Sequence, residues 1–282
     1  LNKCLNDIIE ERGEWQKNSN GLGLEGEEAS EMLRHCHFAY SKCSTFVGRR
    51  DLIDATIPWI EAANRTLEDG TTEFDSFNPV HQFLGIAVCI IGVSGAGKTA
   101  LMSKVASEMY KRMRGECKLI IRFCGTSPKS KNARNLMTSI CRQMEFLFHI
   151  QEPKSASFED KSYDDLVAYF QSLVNEYPIL LFIDSLDQLT DENQGRSQIS
   201  FLKNIRPHPD TRIVVSCLPD EKEMNPESGR TYMYFCETRL KAGEVPRVVV
   251  EMSNGHVLDE AMEIVDKLLE QQGRFLQAEQ RA

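Results

Sequence analysis

Three features of this 282-residue sequence point to an α/β fold, a parallel β-sheet flanked by helices. Short apolar stretches rich in β-branched residues alternate with longer segments of helical period, the pattern that builds βαβ units. One of these stretches, Ile86 to Val93, runs into a glycine-rich turn that opens a helix. Another, Ile179 to Ile183, ends in Asp184.

The elements follow in order. Leu1 to about Lys42 reads as helical and polar, broken by the turn-forming stretch Asn18-Ser19-Asn20-Gly21-Leu22-Gly23, so helix, loop and helix are expected. Phe46-Val47-Gly48-Arg49-Arg50 then leads into Asp51 to Ala63, where Leu52, Ile53, Ile57, Trp59 and Ile60 recur at roughly helical spacing. Ile86 to Val93 is continuously apolar, as a strand covered on both faces should be, and Thr99 to Arg112 carries Leu101, Val105 and Met109 on one helical face. Leu119 to Cys124, Ile179 to Ile183 and Ile213 to Cys217 are the next strands, separated by helical segments at Asn132 to Phe148 and Tyr163 to Asn175. Val248 to Val250 is a fifth strand. Val257 to Gln272 places Leu258, Ala261, Met262, Val265, Leu268 and Leu269 on one face of a last helix. No internal repeat of solenoid length is visible.

Composition excludes several classes. With 41% hydrophobic and 27% charged residues, 17 Gly and 10 Pro, the chain is neither collagen-like nor disordered. A net charge of −9 argues against a general polyanion binder, so nucleic acid is an unexpected partner. The longest apolar run, Phe83 to Val93, is about half of the roughly 20 residues a spanning helix needs, and no signal segment opens the chain. Nine cysteines form an odd set without a CxxC pair, and Cys89, Cys124 and Cys217 sit in strand-like stretches, which reads as buried reduced thiols in a cytoplasmic protein. The chain opens at Leu1 without an initiator methionine and stops at Ala282 within a helical pattern, so it is expected to be a piece of something longer.

The chemistry lies in Gly92-Val93-Ser94-Gly95-Ala96-Gly97-Lys98-Thr99, a full GxxxxGK[ST] match placed between a buried strand and a helix. Glycines 92, 95 and 97 are expected to let the backbone curl until its N–H groups hold phosphate oxygens, with the helix N-terminus adding positive potential. Lys98 is the candidate counter-charge to the β- and γ-phosphates, Thr99 a candidate Mg²⁺ ligand, and Ala100 continues the cradle into the helix. Asp184, at the end of an apolar strand, is the candidate acid for the metal's water shell. Asp187 is either a second carboxylate that polarises the attacking water or a helix N-cap. Ser216, at the end of the Ile213 to Cys217 strand, is a candidate hydrogen-bonding group for the γ-phosphate or the water.

Other features are weighed and discounted. His35-Cys36-His37 with Cys43 contains metal-ligating side chains, but adjacent helical residues point in different directions. Asn64-Arg65-Thr66 has the form of a glycosylation sequon, unused in the cytosol. Lys129 to Arg134 has no interleaved aromatics and reads as a solvated loop and helix start rather than a nucleic-acid patch. The apolar stripe of the last helix is expected to be core or interdomain packing.

Together these residues resemble STAND-class P-loop NTPases with a NACHT domain, in particular the subgroup carrying WD repeats. The phosphate loop, Ile183-Asp184-Ser185-Leu186-Asp187-Gln188-Leu189 and Arg122-Phe123-Cys124-Gly125-Thr126-Ser127-Pro128 carry the resemblance. Phe46-Val47-Gly48-Arg49 resembles the segment that covers the base in this family, with Val47 and Arg49 as base-side contacts, and Gly273-Arg274-Phe275-Leu276 with Gln280 resembles the start of the helical region after the core. The likeness runs from about residue 36 to the end. It implies an N-terminal helical segment over 1–45, a NACHT-type core over 46–253 and the start of a helical region over 254–282. It also implies ATP and ADP as ligands with Mg²⁺, slow hydrolysis, a signalling switch, and self-association or protein partners engaged through regions beyond this chain. Two departures stand out. Gln188 replaces the glutamate that often follows the second aspartate, and no arginine ends the fourth strand, leaving Arg206 and Arg212 as candidate cations. A non-hydrolysing ATP-binding scaffold and a P-loop kinase are the alternative readings.

Overall fold

The computed structural model describes residues 26–62, 82–83, 85–113, 115–150, 158–220, 222–224, 231–233 and 236–251. The expected helix and loop before residue 26, the sequon at Asn64, and the last helix with the Gly273 motif lie outside the described residues.

Among the described residues two helices precede the sheet, α1 (Gly26–Ser44) and α2 (Arg50–Ala62). There follow β1 (Val88–Ile91), α3 (Lys98–Arg112), β2 (Lys118–Phe123), α4 (Ala133–Leu147), α5 (Tyr163–Glu176), β3 (Ile179–Asp184) and β4 (Arg212–Cys217). A short hairpin, β5 (Lys222–Met224) and β6 (Thr231–Met233), and a short helix α6 (Cys236–Ala242) lead to β7 (Arg247–Val249). The five expected strands form one parallel sheet in the order β2-β3-β4-β1-β7, with β5 and β6 pairing antiparallel by themselves. The hairpin and α6 were not foreseen from the sequence.

The continuous apolar character of the strands is explained by cover on both faces. Cys89, Ile91, Leu181, Ile183, Ile213 and Val215 point to a core shared with α4, α5 and α6. Val88, Ile90, Leu180, Phe182 and Val214 point to the opposite core, shared with α1, α2 and α3. Alternate residues thus serve opposite layers, as the twofold pleat requires. Each fully buried Ile, Leu or Phe contributes roughly 1.5–3 kcal/mol.

The helix starts are set by short polar side chains. Asn132 caps α4 by accepting from the Asn135 amide, and Ser162 caps α5 by accepting from Asp165. α3 has no such side-chain cap. Its N-cap is Gly97, in the left-handed region at φ 91°, so the helix N-terminus stays open toward the turn before it.

α1 packs along α3 and against β2. Ala39 joins the core with Ile53 of α2 and Val105 of α3. A buried polar cluster fixes the other end of α1: Glu31 accepts from Ser127 and Arg34, and the His35 ring bonds Glu31 through Nε2 at 3.2 Å and accepts the Phe123 amide through Nδ1 at 3.2 Å. That pattern puts the ring proton on Nε2. Arg122, fully buried, spends its guanidinium on Ser139 and the Ile121 carbonyl. His35 therefore belongs to packing while His37 is exposed on the other side of the helix, and no group of three metal-ligating side chains occurs among the described residues. Lys129 lies in a 3-10 turn, Pro128–Ser130, capped by Ser127, and Asn132 then opens α4. The eight cysteines among the described residues are free.

Candidate functional site

Strand order decides where the chemistry gathers. In an open parallel sheet ligands bind beyond the carboxyl ends of the strands, where the connections diverge. β4 lies between β1 and β3, with Ile90 in register with Ser216 and Ile183 with Val215. The turn after β1, the hydroxyl near the end of β4 and the carboxylate ending β3 therefore meet at one edge.

The turn from Gly92 to Gly97 needs its glycines for two different reasons. Gly95 and Gly97 have φ of 81° and 91°, backbone that favours glycine. Gly92 is required by crowding instead, because a Cβ there would lie 2.4 Å from the Val250 carbonyl oxygen. No neighbouring atom stands within 4 Å of a Cβ built on Gly95, which is exposed, so its glycine is required by backbone conformation and not by crowding.

Lys98 folds back over the turn, donating to the carbonyls of Gly92 at 2.7 Å and Val93 at 3.0 Å. Thr99 Oγ1 donates to Asp184 Oδ2 at 2.7 Å, and Ser216 Oγ donates to Asp184 Oδ1 at 2.5 Å. Burial pushes the Asp184 carboxyl above its usual range, opposed by the Ser216 and Thr99 hydrogen bonds and by the Lys98 charge. The residue after it, Ser185, is left-handed at φ 59°, which turns the chain so that its amide donates to Ser216 Oγ at 2.8 Å.

Asp187 is 3% exposed and lies inside the 3-10 turn Leu186–Gln188, so the N-cap alternative is not realised. Its Oδ1 accepts the Leu218 amide at 2.9 Å and its Oδ2 accepts Gln188 Nε2 at 2.7 Å, tying the exits of β3 and β4 together. Arg49, also left-handed at φ 52°, donates to the Ala96 carbonyl at 2.8 Å and the Glu251 carbonyl at 2.7 Å. It straps the turn to the chain after β7. Val47 is half-buried in the connection between α1 and α2, outside the residues that line the cleft.

Arg206 and Arg212 are not near this edge. Arg212 opens β4 and donates to the carbonyls of Pro209 and Thr211, while the Arg206 carbonyl accepts from Asn175 near the end of α5. The length of β4 puts the Arg212 backbone about 17 Å from the Cys217 end. Neither supplies the cation that the sequence lacks at the end of β4.

A cleft of about 400 Å³ opens over the turn, lined by Ser94, Gly95, Gly97, Lys98, Thr99 and Ala100 on one side and by Ser185, Asp187, Gln188 and Leu218 on the other. Two more lining residues, Phe38 and Lys42, come from α1 and escaped the sequence reading. Their only signal in the sequence was an i, i+4 spacing on a helix, shared by any packed helical face.

A glycine-rich turn between a buried strand and a helix, a lysine folded over it and a threonine bonded to the acid that ends β3 define a P-loop NTPase. Residues 87–249 match the NACHT domain, more than half of the chain, and the chain belongs to that family. It is similar to the human NACHT domain- and WD repeat-containing protein 1, 29% identical over 113 residues, covering 38% of this chain and 7% of that protein. Human NACHT and WD repeat domain-containing protein 2 is 27% identical over 164 residues, covering 52% of this chain and 9% of its own length. The matched part is thus less than a tenth of either relative. Solved structures with similarity include a DNA replication initiation factor, at TM-score 0.40 and 14% identity over 80% of this chain and 52% of the other. C. elegans PCH-2 gives 0.42 and 12% over 77% and 47%. At such scores the sheet order and the site geometry carry the fold assignment. No helix among the described residues is long and apolar enough to cross a membrane.

Proposed function

We propose that the chain is an ATP-binding regulatory module of a cytoplasmic signalling protein, in which Mg²⁺-ATP binding and slow hydrolysis set conformation and, through it, self-association or the display of a partner surface. The observation that carries the reading is the 2.7 Å bond between Thr99 and Asp184, which sets the first helical hydroxyl after the phosphate turn against the carboxylate of the acidic strand. The Thr99 hydroxyl and the Asp184 carboxylate are hard oxygen donors of the type Mg²⁺ prefers. When bound, the metal neutralises phosphate charge. In this reading the turn's amides hold the α- and β-phosphates and Lys98 leaves the Gly92 and Val93 carbonyls for phosphate oxygens. Ser216 keeps the Asp184 carboxylate oriented.

The domain boundaries belong to the same proposal: a core ending near residue 253, with the helical region after it, and the chain as a segment of a longer protein with WD repeats. The ATP preference rests on family likeness, with Arg49 and Val47 on the base side.

Slow hydrolysis follows from Asp187. Both of its oxygens already accept hydrogen bonds that hold the exits of β3 and β4, and Gln188 has no basic group to take a proton from the attacking water. The same observation favours a second reading, a scaffold that binds ATP without turnover. The experiment is to denature the purified protein, identify released nucleotide by chromatography, and follow Mg²⁺-ATP turnover for wild type and Asp187→Asn. Co-purified ADP with turnover well below one per second, slower still in the variant, supports the switch. Bound ATP with no turnover in either protein supports the scaffold, and fast turnover that depends on an added acceptor overturns both.

A further inference from the structure

The cleft has two cationic lining residues, Lys98 from the phosphate turn and Lys42 from α1. Their positions differ in a way that matters for a phosphate chain. Lys98 bends over the turn itself. Lys42 lies on the side of the acidic strand, as its neighbour Phe38 demonstrates: Phe38 meets Phe123 edge-on with ring centroids 4.8 Å apart, and Phe123 is the register partner of Asp184. One helical turn further, the Lys42 ammonium sits 5.2 Å from the Phe38 ring centroid, with no ion-pair partner among the described residues. A cation–π contact of this kind is worth only about 0.5–1 kcal/mol at a partly exposed site, so an anion would displace it readily. Of the arginines the sequence offers for this role, Arg49 donates to two carbonyls and Arg212 to the carbonyls of Pro209 and Thr211 at the start of β4.

We infer that Lys42 is a second counter-charge, beside Lys98, for the terminal phosphate of a bound nucleoside triphosphate, which makes α1 the element that distinguishes triphosphate from diphosphate. The inference rests on the nucleotide-binding reading above and adds a state-reading role to it. A diphosphate ends within the turn and its amides. Only the third phosphate projects toward the acidic side, where Asp187, Gln188 and Lys42 line the cleft. Because α1 is also anchored at Glu31 and His35, a pull on Lys42 is transmitted to a helix that precedes the NACHT match at residue 87. Nucleotide state would then be felt by whatever the protein attaches before α1.

The test is a binding measurement, independent of turnover. ADP and a β,γ-methylene ATP analogue are titrated in Mg²⁺ into wild type, Lys42→Ala and Lys42→Arg, with the thermal melt of each protein without nucleotide as the control for folding. A hydrogen bond to a charged group supports an expected loss of about tenfold or more in analogue affinity for Lys42→Ala, less than about twofold for ADP, and recovery of most of the loss in Lys42→Arg. Equal weakening of both ligands, or of neither, overturns the inference while leaving nucleotide binding intact. If wild type binds neither ligand, the nucleotide-binding reading falls and this inference with it. Should Lys42→Ala melt early, Lys42→Met keeps the side-chain stem against Phe38 and is judged by the same ratio.

Discussion

Thr99 and Asp184 stand 85 residues apart in the chain and share a hydrogen bond of 2.7 Å, and that bond closes the phosphate turn against the acidic strand. Asp184→Asn keeps the shape and removes the charge a divalent cation would need. Nucleotide affinity in Mg²⁺ is expected to fall by about ten- to a hundredfold in the variant, to the level wild type has in EDTA, measured by titration calorimetry in both buffers. A variant that retained its metal dependence would remove Asp184 from the metal's surroundings.

Lys98→Ala separates binding from folding. The two carbonyl contacts of Lys98 are charge-assisted, each worth about 1.5–3 kcal/mol, but they offset the cost of burying the ammonium, so thermal stability without nucleotide should drop only modestly. Nucleotide affinity should fall much further, about a hundredfold, because the counter-charge to the phosphates is lost. Melting curves with and without ADP read both quantities from one sample, and a variant that still gained wild-type stability from ADP would contradict the assignment.

The glycines of the turn give a graded test. Alanine at Gly92 would press its Cβ into the Val250 carbonyl and disturb the pairing of β1 with β7, and such overpacking typically costs about 1–3 kcal/mol without any ligand present. Alanine at Gly95 meets nothing and carries only the left-handed backbone penalty, about 1–2 kcal/mol, while placing a methyl group at the turn. Urea melts should therefore show Gly92→Ala destabilised through the sheet, and amide exchange should show β7 opening in that variant but not in Gly95→Ala.

Much of this was legible beforehand, for a physical reason. Strands covered on both faces must be apolar throughout, so Val88–Ile91, Ile179–Asp184 and Arg212–Cys217 announced themselves, and a turn that admits only glycine leaves a pattern with few chance matches. What failed was chemistry that depends on which ends of elements meet. Arg206 and Arg212 were reasonable cations by sequence distance, yet the parallel sheet carries the start of β4 away from the site. Phe38 and Lys42 reach the cleft only because α1 lies across α3 and β2, a long-range packing choice with no local signal. The antiparallel pair β5–β6 was missed because each strand is three residues long, too short for alternation to show.

Acid should loosen the contact between α1 and the sheet before it reaches the rest of the fold. Burial, with the Arg122 charge adding to it and the Glu31 carboxylate opposing, holds the His35 pKa down at about 4, from an ordinary 6.5. The ring is thus neutral in the folded protein and accepts the Phe123 amide through Nδ1. A lowered folded pKa means that the unfolded chain binds the proton first, so the stability supplied by neutral His35 is complete above about 6.5 and is lost as pH falls from there toward 4. The full loss is up to roughly 3 kcal/mol, the free-energy equivalent of that displacement. Glu31, whose carboxyl is held below its ordinary value by Ser127 and Arg34 against the opposing effect of burial, extends the loss at more acid pH in the same direction. The expected result is a melting temperature that falls between pH 6.5 and 4, with early exchange of the Phe123 amide. His35→Leu should flatten that slope while lowering stability at pH 7.5, and a variant with the wild-type slope would place the pH dependence elsewhere.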